Sequence, residues 1–70
     1  MPLVKRSLTL HGHRTSLALE PEFWDVVDGH AQAEKRSLAG LIAEIDDSRD
    51  PDDPLSSAVR LWVLRQLRAT

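Results

Sequence analysis

The sequence contains no cysteine and no tyrosine, one phenylalanine and two tryptophans. Without cysteine there is no disulfide framework and no thiolate zinc site, so the chain must fold by packing alone. The lack of thiols also fits a reducing compartment. No apolar run approaches the ~18 residues of a membrane span. Residues 1–10 lack the ~7–15-residue apolar stretch of a secretory signal. The expectation is a cytoplasmic protein with no membrane contact. Internal repeats and low-complexity segments are absent as well.

Seventy residues allow one domain at most. A chain of this size buries only ~60% of the surface it exposes when unfolded, and association is a common remedy. Acids are missing from both ends. Residues 1–19 hold Lys5, Arg6 and Arg14 and no carboxylate, while residues 20–53 hold all eleven acids against Lys35, Arg36 and Arg49. Residues 55–70 carry Arg60, Arg65 and Arg68 and again no acid. The net charge of −2 therefore conceals a basic arm on an acidic body. Such an arm is either an electrostatic footprint for a polyanion or a device of solubility and helix-dipole matching.

From Ser7 to Leu19 the apolar residues alternate, first Leu8 and Leu10, then Thr15, Leu17 and Leu19. Period two predicts strands. His11-Gly12-His13 between them predicts a tight turn, because glycine supplies a positive φ. The ribbon strand is expected over 13–19, and a first strand within the arm 1–12. At Glu20-Pro21-Glu22 the period changes. Proline suits the first position of a helix and the acids suit its positive end, so a helix is expected over 21–34, with Phe23, Val26, Val27, His30 and Ala31 at helical spacing. Ser37 is a suitable N-cap for a second helix over 37–47, whose stripe is Leu38, Leu41, Ile42 and Ile45. Residues 48–53 have no apolar member and read as a loop. Asp53 is expected to cap a third helix over 54–68 that opens on Pro54. Leu55, Ala58, Val59, Trp62, Val63 and Gln66 line one side of it, and Leu61, Leu64 and Leu67 widen the apolar sector, so this helix needs burial on two sides.

A basic arm, an alternating strand, a helix opened by Pro-Glu and a second capped helix form an order that resembles the ribbon-helix-helix superfamily of the Arc and Met repressors. More narrowly, Arg14-Thr15-Ser16-Leu17-Ala18-Leu19-Glu20-Pro21-Glu22-Phe23-Trp24 resembles one branch. So do Leu-Ile-Ala-Glu-Ile at residues 41 to 45 and Leu55-Ser56-Ser57-Ala58-Val59-Arg60. That branch comprises short stand-alone bacterial proteins with an extra C-terminal helix, mostly of unassigned function. The resemblance covers about residues 6–68. It implies a mainly α fold with a short β-ribbon, a third helix and an intertwined homodimer in which strands from two protomers pair antiparallel. It also implies sequence-specific binding of double-stranded DNA, a role in regulating transcription, no enzymatic activity and no cofactor.

In that mode one face of the ribbon enters the major groove. If Thr15, Leu17 and Leu19 pack on the helices, then Arg14, Ser16 and Ala18 point outward and meet base edges. Arg14 can donate two hydrogen bonds to guanine, Ser16 can bond to several bases, and Ala18 offers only apolar contact. Ribbons of the superfamily usually present three polar or basic outward residues, so Ala18 is a departure. Phosphate contacts are expected from Lys5 and Arg6 of the arm, from Lys35 and Arg36, and from the start of the second helix around Ser37 and Leu38. The dimer core is expected to hold Leu17, Leu19, Phe23, Leu41, Ile42, Ile45 and Trp62.

The competing reading is a protein-interaction module, the same dimer with its third helix or its ribbon docked on a protein partner. His11, His13 and His30 are better explained as structural or solvated residues than as metal ligands, because no cysteine or evident fourth ligand accompanies them. No nucleophile and base can be paired from local sequence.

Overall fold

The structure, a computed structural model, describes residues 2–69. Two strands, β1 (Val4–Leu10) and β2 (His13–Leu19), are followed by helices α1 (Pro21–Ala33), α2 (Leu38–Ser48) and α3 (Leu55–Arg68). The strands pair antiparallel in a two-stranded sheet, with Val4 opposite Leu19 and Leu10 opposite His13. The turn between them has two residues. His11 (φ 52°) and Gly12 (φ 80°) both lie in the left-handed region, as a type I′ hairpin turn requires. Histidine enters that region more readily than most side chains, and glycine does so without steric cost.

Within the chain, the neighbour of β2 is β1. The reason is local: a two-residue turn returns the chain at once, and β1 brings Leu8 and Leu10 of its own to bury. Strand parity places Val4, Arg6, Leu8 and Leu10 on one face with His13, Thr15, Leu17 and Leu19. Leu8, Leu10, Leu17 and Leu19 are all buried.

The helices close over that face. Trp24, Val27 and Ala31 of α1, Leu41, Ile42 and Ile45 of α2, and Val59 and Val63 of α3 complete one buried cluster with the four leucines. Each such aliphatic side chain contributes ~1.5–3 kcal/mol when removed from water. Helix α3 packs against α1, α2 and β2 and so supplies a wall of the core within the chain. The apolar surface of Leu17, Leu19, Leu41, Ile42 and Ile45, which the sequence led us to assign to a second chain, is enclosed by one.

The helix ends follow from local chemistry. Pro21 stands in the first turn of α1, and the Glu20 carbonyl accepts from the Phe23 and Trp24 amides at 3.0 and 3.2 Å. Helix α1 stops where Lys35 turns left-handed (φ 54°). The Arg36 amide then reaches back to the Ala31 carbonyl at 3.0 Å, which makes a Schellman closure with lysine in the place glycine usually takes. Ser37 caps α2 by accepting from the Gly40 amide at 3.0 Å, a bond worth about 1 kcal/mol in such positions. A Cβ at Gly40 would stand 3.0 Å from the Ser37 hydroxyl, so a larger residue there would press on the cap. The expected cap of α3 needs correction. Pro54 itself is the N-cap and no side chain caps the helix, because the Asp53 backbone is held in the preceding turn. Its amide bonds to Asp50 and its carbonyl accepts from Arg49 at 2.7 Å.

Candidate nucleic-acid interface

Since Leu8, Leu10, Leu17 and Leu19 face the core, parity turns Lys5, Ser7, Thr9, Arg14, Ser16 and Ala18 to the other side of the ribbon. Cross-strand neighbours on this outer face are Lys5 with Ala18, Ser7 with Ser16, and Thr9 with Arg14. All are exposed except Ala18, which is half-buried. The face has two cations, three hydroxyls and one methyl, and no acid.

Four other cations are neutralised. Arg6 shares the inner-face parity of Leu8. Its guanidinium makes a bidentate pair with Asp28 at 3.0 and 3.1 Å and stacks over the Trp24 ring at 4.3 Å. Arg36 pairs with Glu44 at 2.6 Å and Glu34 at 3.5 Å and donates to the Gly40 carbonyl. Hydrogen bonding to the Glu44 carboxylate makes the Arg36 guanidinium hold its proton more firmly than usual. Arg49 pairs with Asp46 at 2.6 Å. Arg60 pairs with Glu20 at 2.8 Å, and the Glu20 carboxyl lies below the ordinary carboxylate range through its own backbone amide first and Arg60 second. Exposed pairs like these add ~0–1 kcal/mol each to stability. Their larger effect is on where free positive charge remains. Lys5 and Arg14 have no ion-pair partner among the described residues, and the same holds for Lys35, Arg65 and Arg68.

The expected site residues thus divide. Arg14, Ser16 and Ala18 share the outer face with Lys5. Arg6 and Arg36, expected on phosphates, have their guanidiniums engaged by carboxylates. Lys35 is exposed at the α1–α2 junction, Ser37 is exposed but its hydroxyl is occupied as the α2 cap, and Leu38 is half-buried. Of the residues expected in a dimer core, Leu17, Leu19, Leu41, Ile42 and Ile45 are buried within the chain, and Phe23 and Trp62 are half-buried against the same cluster.

Sequence reasoning overlooked Ser7 and Thr9, although the alternation that marks Leu8 and Leu10 as inward also marks them as outward. It also left Trp24 unassigned. Trp24 is the largest fully buried side chain, 1% exposed, and its indole N–H donates to the Val4 carbonyl at 2.8 Å. Among the histidines, His11 bonds to Asp47 at 2.7 Å, and His30 meets Trp62 edge-on at 5.0 Å.

A family model described as a ribbon-helix-helix domain matches residues 3–67, and the fold just described has the parts in that order. The chain belongs to the ribbon-helix-helix domain family, with a third helix that completes its core. No curated protein and no solved structure matches it significantly. Ribbon-helix-helix domains typically dimerise, bind DNA and regulate transcription, and they are regulatory modules rather than enzymes. Among the described residues, no helix is long and apolar enough to cross a membrane.

Proposed function

We propose that this chain is a sequence-specific DNA-binding protein, a cytoplasmic regulator of transcription that acts as a homodimer and reads the major groove with the outer face of its ribbon. The observation that carries this reading is the distribution of free charge. Arg6 of the ribbon and three arginines of the body are tied to carboxylates, whereas Lys5 and Arg14, on a ribbon face without an acid, have no ion-pair partner among the described residues. A two-stranded ribbon fits the major groove, and its outward side chains reach base edges. Arg14 and Ser16 are the base readers, with Ala18 beside them. Lys35 and the backbone at Ser37 and Leu38 are the phosphate contacts.

The experiment is a salt titration of binding to mixed-sequence duplexes. Affinity is expected to fall linearly on a log–log plot, and Lys35→Ala is expected to weaken binding alike on all sequences and flatten the slope by about 1. Absence of salt-sensitive retention of any duplex at low ionic strength would remove the reading.

The homodimer is tested separately. Light scattering at micromolar concentration is expected to give twice the mass of the chain. Because one chain encloses Leu17, Leu19, Leu41, Ile42 and Ile45, dilution to the monomer is expected to leave far-UV circular dichroism unchanged. Loss of helicity together with the dimer would show that folding and association are one event.

A second reading rests on α3, where Leu61, Leu64 and Leu67 are 41%, 48% and 55% exposed. In a protein-interaction module these leucines dock a partner and the ribbon face is merely solvated. Partner binding of that kind is far less salt-dependent than the counterion-releasing contact with DNA.

A further inference from the structure

We propose that His11 and His13 at the hairpin end, with Asp46 and Asp47 at the end of α2, form a binding site for one divalent first-row transition-metal ion such as zinc. This goes beyond the DNA-binding reading and does not depend on it.

Local sequence offers only the two imidazoles, one on each side of Gly12. The fold brings the carboxylates to them from α2, Asp47 standing 36 residues from His11. His11 Nε2 lies 2.7 Å from Asp47 Oδ1. One ligand atom from each of His11, Asp46 and Asp47 lies within 4.8 Å of the other two. Ligands held ~2.0–2.2 Å from a zinc ion stand about 3.4 Å apart around a tetrahedron, so a small closing of the side chains completes the geometry. The His11 and Asp47 side chains are more than half exposed and free to make that movement.

His13 reaches the same place from the start of β2. The left-handed pair His11 and Gly12 carries the chain round so tightly that His11, His13 and Asp46 line one cleft, together with Leu10 and Leu55. Its volume is about 280 Å³. A water molecule occupies ~30 Å³ in the liquid, so the cleft has room for an ion that keeps water on an open position.

The end of α2 also favours a cation. Its last turn carries Asp46 and Asp47 and no basic residue, and carboxylates at the negative end of a helix are unfavourably placed. Arg49 offsets part of this, with its Nε 2.6 Å from Asp46 Oδ1. Its remaining hydrogen bonds go to the Asp50 and Asp53 carbonyls. A carboxylate keeps acceptor capacity on its second oxygen, and ligating carboxylates are commonly held by a further hydrogen bond, so Arg49 orients Asp46 toward the cleft. Two imidazoles with two carboxylates suit zinc, nickel or copper, whereas magnesium and calcium prefer oxygen ligands alone.

The test is isothermal titration calorimetry of the metal-stripped full-length protein with zinc chloride, and with magnesium chloride and calcium chloride for comparison. We expect one zinc ion per chain, no comparable binding of the other two, and a thermal midpoint that rises with zinc concentration, as linkage requires of a ligand held by the folded state. His11→Asn preserves the turn, because asparagine enters the left-handed region readily and Asn-Gly favours this turn type. His11→Asn, His13→Asn and Asp47→Asn should each lower zinc affinity by more than about 10-fold, since even residues that only orient a ligand cost ~10–100-fold. His30→Gln, at the histidine that meets Trp62, should bind zinc as the wild type does. Circular dichroism checks that each variant is folded. Absence of zinc binding would overturn the proposal. So would equal binding of magnesium or calcium, which marks a merely acidic surface, wild-type affinity in any of the three ligand variants, or an equal loss in His30→Gln.

Discussion

Replacing Trp24 with alanine is expected to cost about 3–5 kcal/mol, enough to unfold most of the protein at room temperature, since domains of this size seldom hold more than ~3–5 kcal/mol in their core. Three losses coincide at this residue. The indole is 1% exposed, so its removal leaves a cavity among Leu, Val and Ile side chains. Its N–H donates to the Val4 carbonyl at 2.8 Å, a bond that fastens the start of β1 to α1. The ring also carries the Arg6 guanidinium on its face, which positions that group for Asp28. Trp24→Phe separates these contributions. It keeps most of the ring but leaves the Val4 carbonyl without its donor, and it should cost less, about 1–3 kcal/mol. Phe23→Ala should fall well short of Trp24→Ala, because Phe23 is only half-buried. Urea denaturation followed by circular dichroism measures all three. A Trp24→Ala protein within about 1 kcal/mol of wild type would contradict the account, since large aromatic truncations in cores cost several times that.

Much of this fold is legible in the residues that punctuate it. Alternation through Leu8, Leu10, Leu17 and Leu19 marks both strands and their inner faces, His11-Gly12 marks the turn, Pro21 the first helix and Ser37 the second. The outer face at Arg14, Ser16 and Ala18 follows from the same parity. What was not legible has physical causes. The ion pair of Arg6 is one such feature, because the summed charge of a basic arm does not show which of its side chains are paired. Its partner, Asp28, is 22 residues away, and only the tertiary fold brings the two together. Trp24 was missed because two stripes share α1. The set Phe23, Val26, His30 and the set Trp24, Val27, Ala31 differ by one residue, a rotation of about 100°, and the choice between them depends on where α3 and β1 sit. Trp62 and the flanking leucines marked α3 as a helix needing two-sided burial, but the sequence did not show that one side would be its own chain. That is also why a second protomer was expected to enclose a core that one chain closes by itself.

Arg14→Ala is expected to produce the largest change in DNA recognition while leaving the fold untouched. Arg14 is exposed on the outer face, opposite Thr9, and has no ion-pair partner among the described residues, so its removal takes away no contact on which the core depends. Its guanidinium is a planar fork that can donate in parallel to guanine O6 and N7, and a bidentate contact of that kind discriminates against the wrong base by ~1–3 kcal/mol. On a preferred duplex the variant should therefore lose that amount, while on a scrambled duplex it should lose only what one phosphate-range charge contributes. Arg14→Lys sharpens the test. It keeps the charge and most of the reach but replaces the fork with a compact ammonium, so salt dependence should stay near wild type while preference for guanine weakens. Both variants should match the wild type in helicity and in denaturation midpoint. Competition binding between the two duplexes at fixed ionic strength provides the measurement. If Arg14→Ala binds the preferred duplex as tightly as wild type, Arg14 reads no base and the ribbon face is not the recognition surface. The exposed leucines of α3 would then be the place to look for a partner.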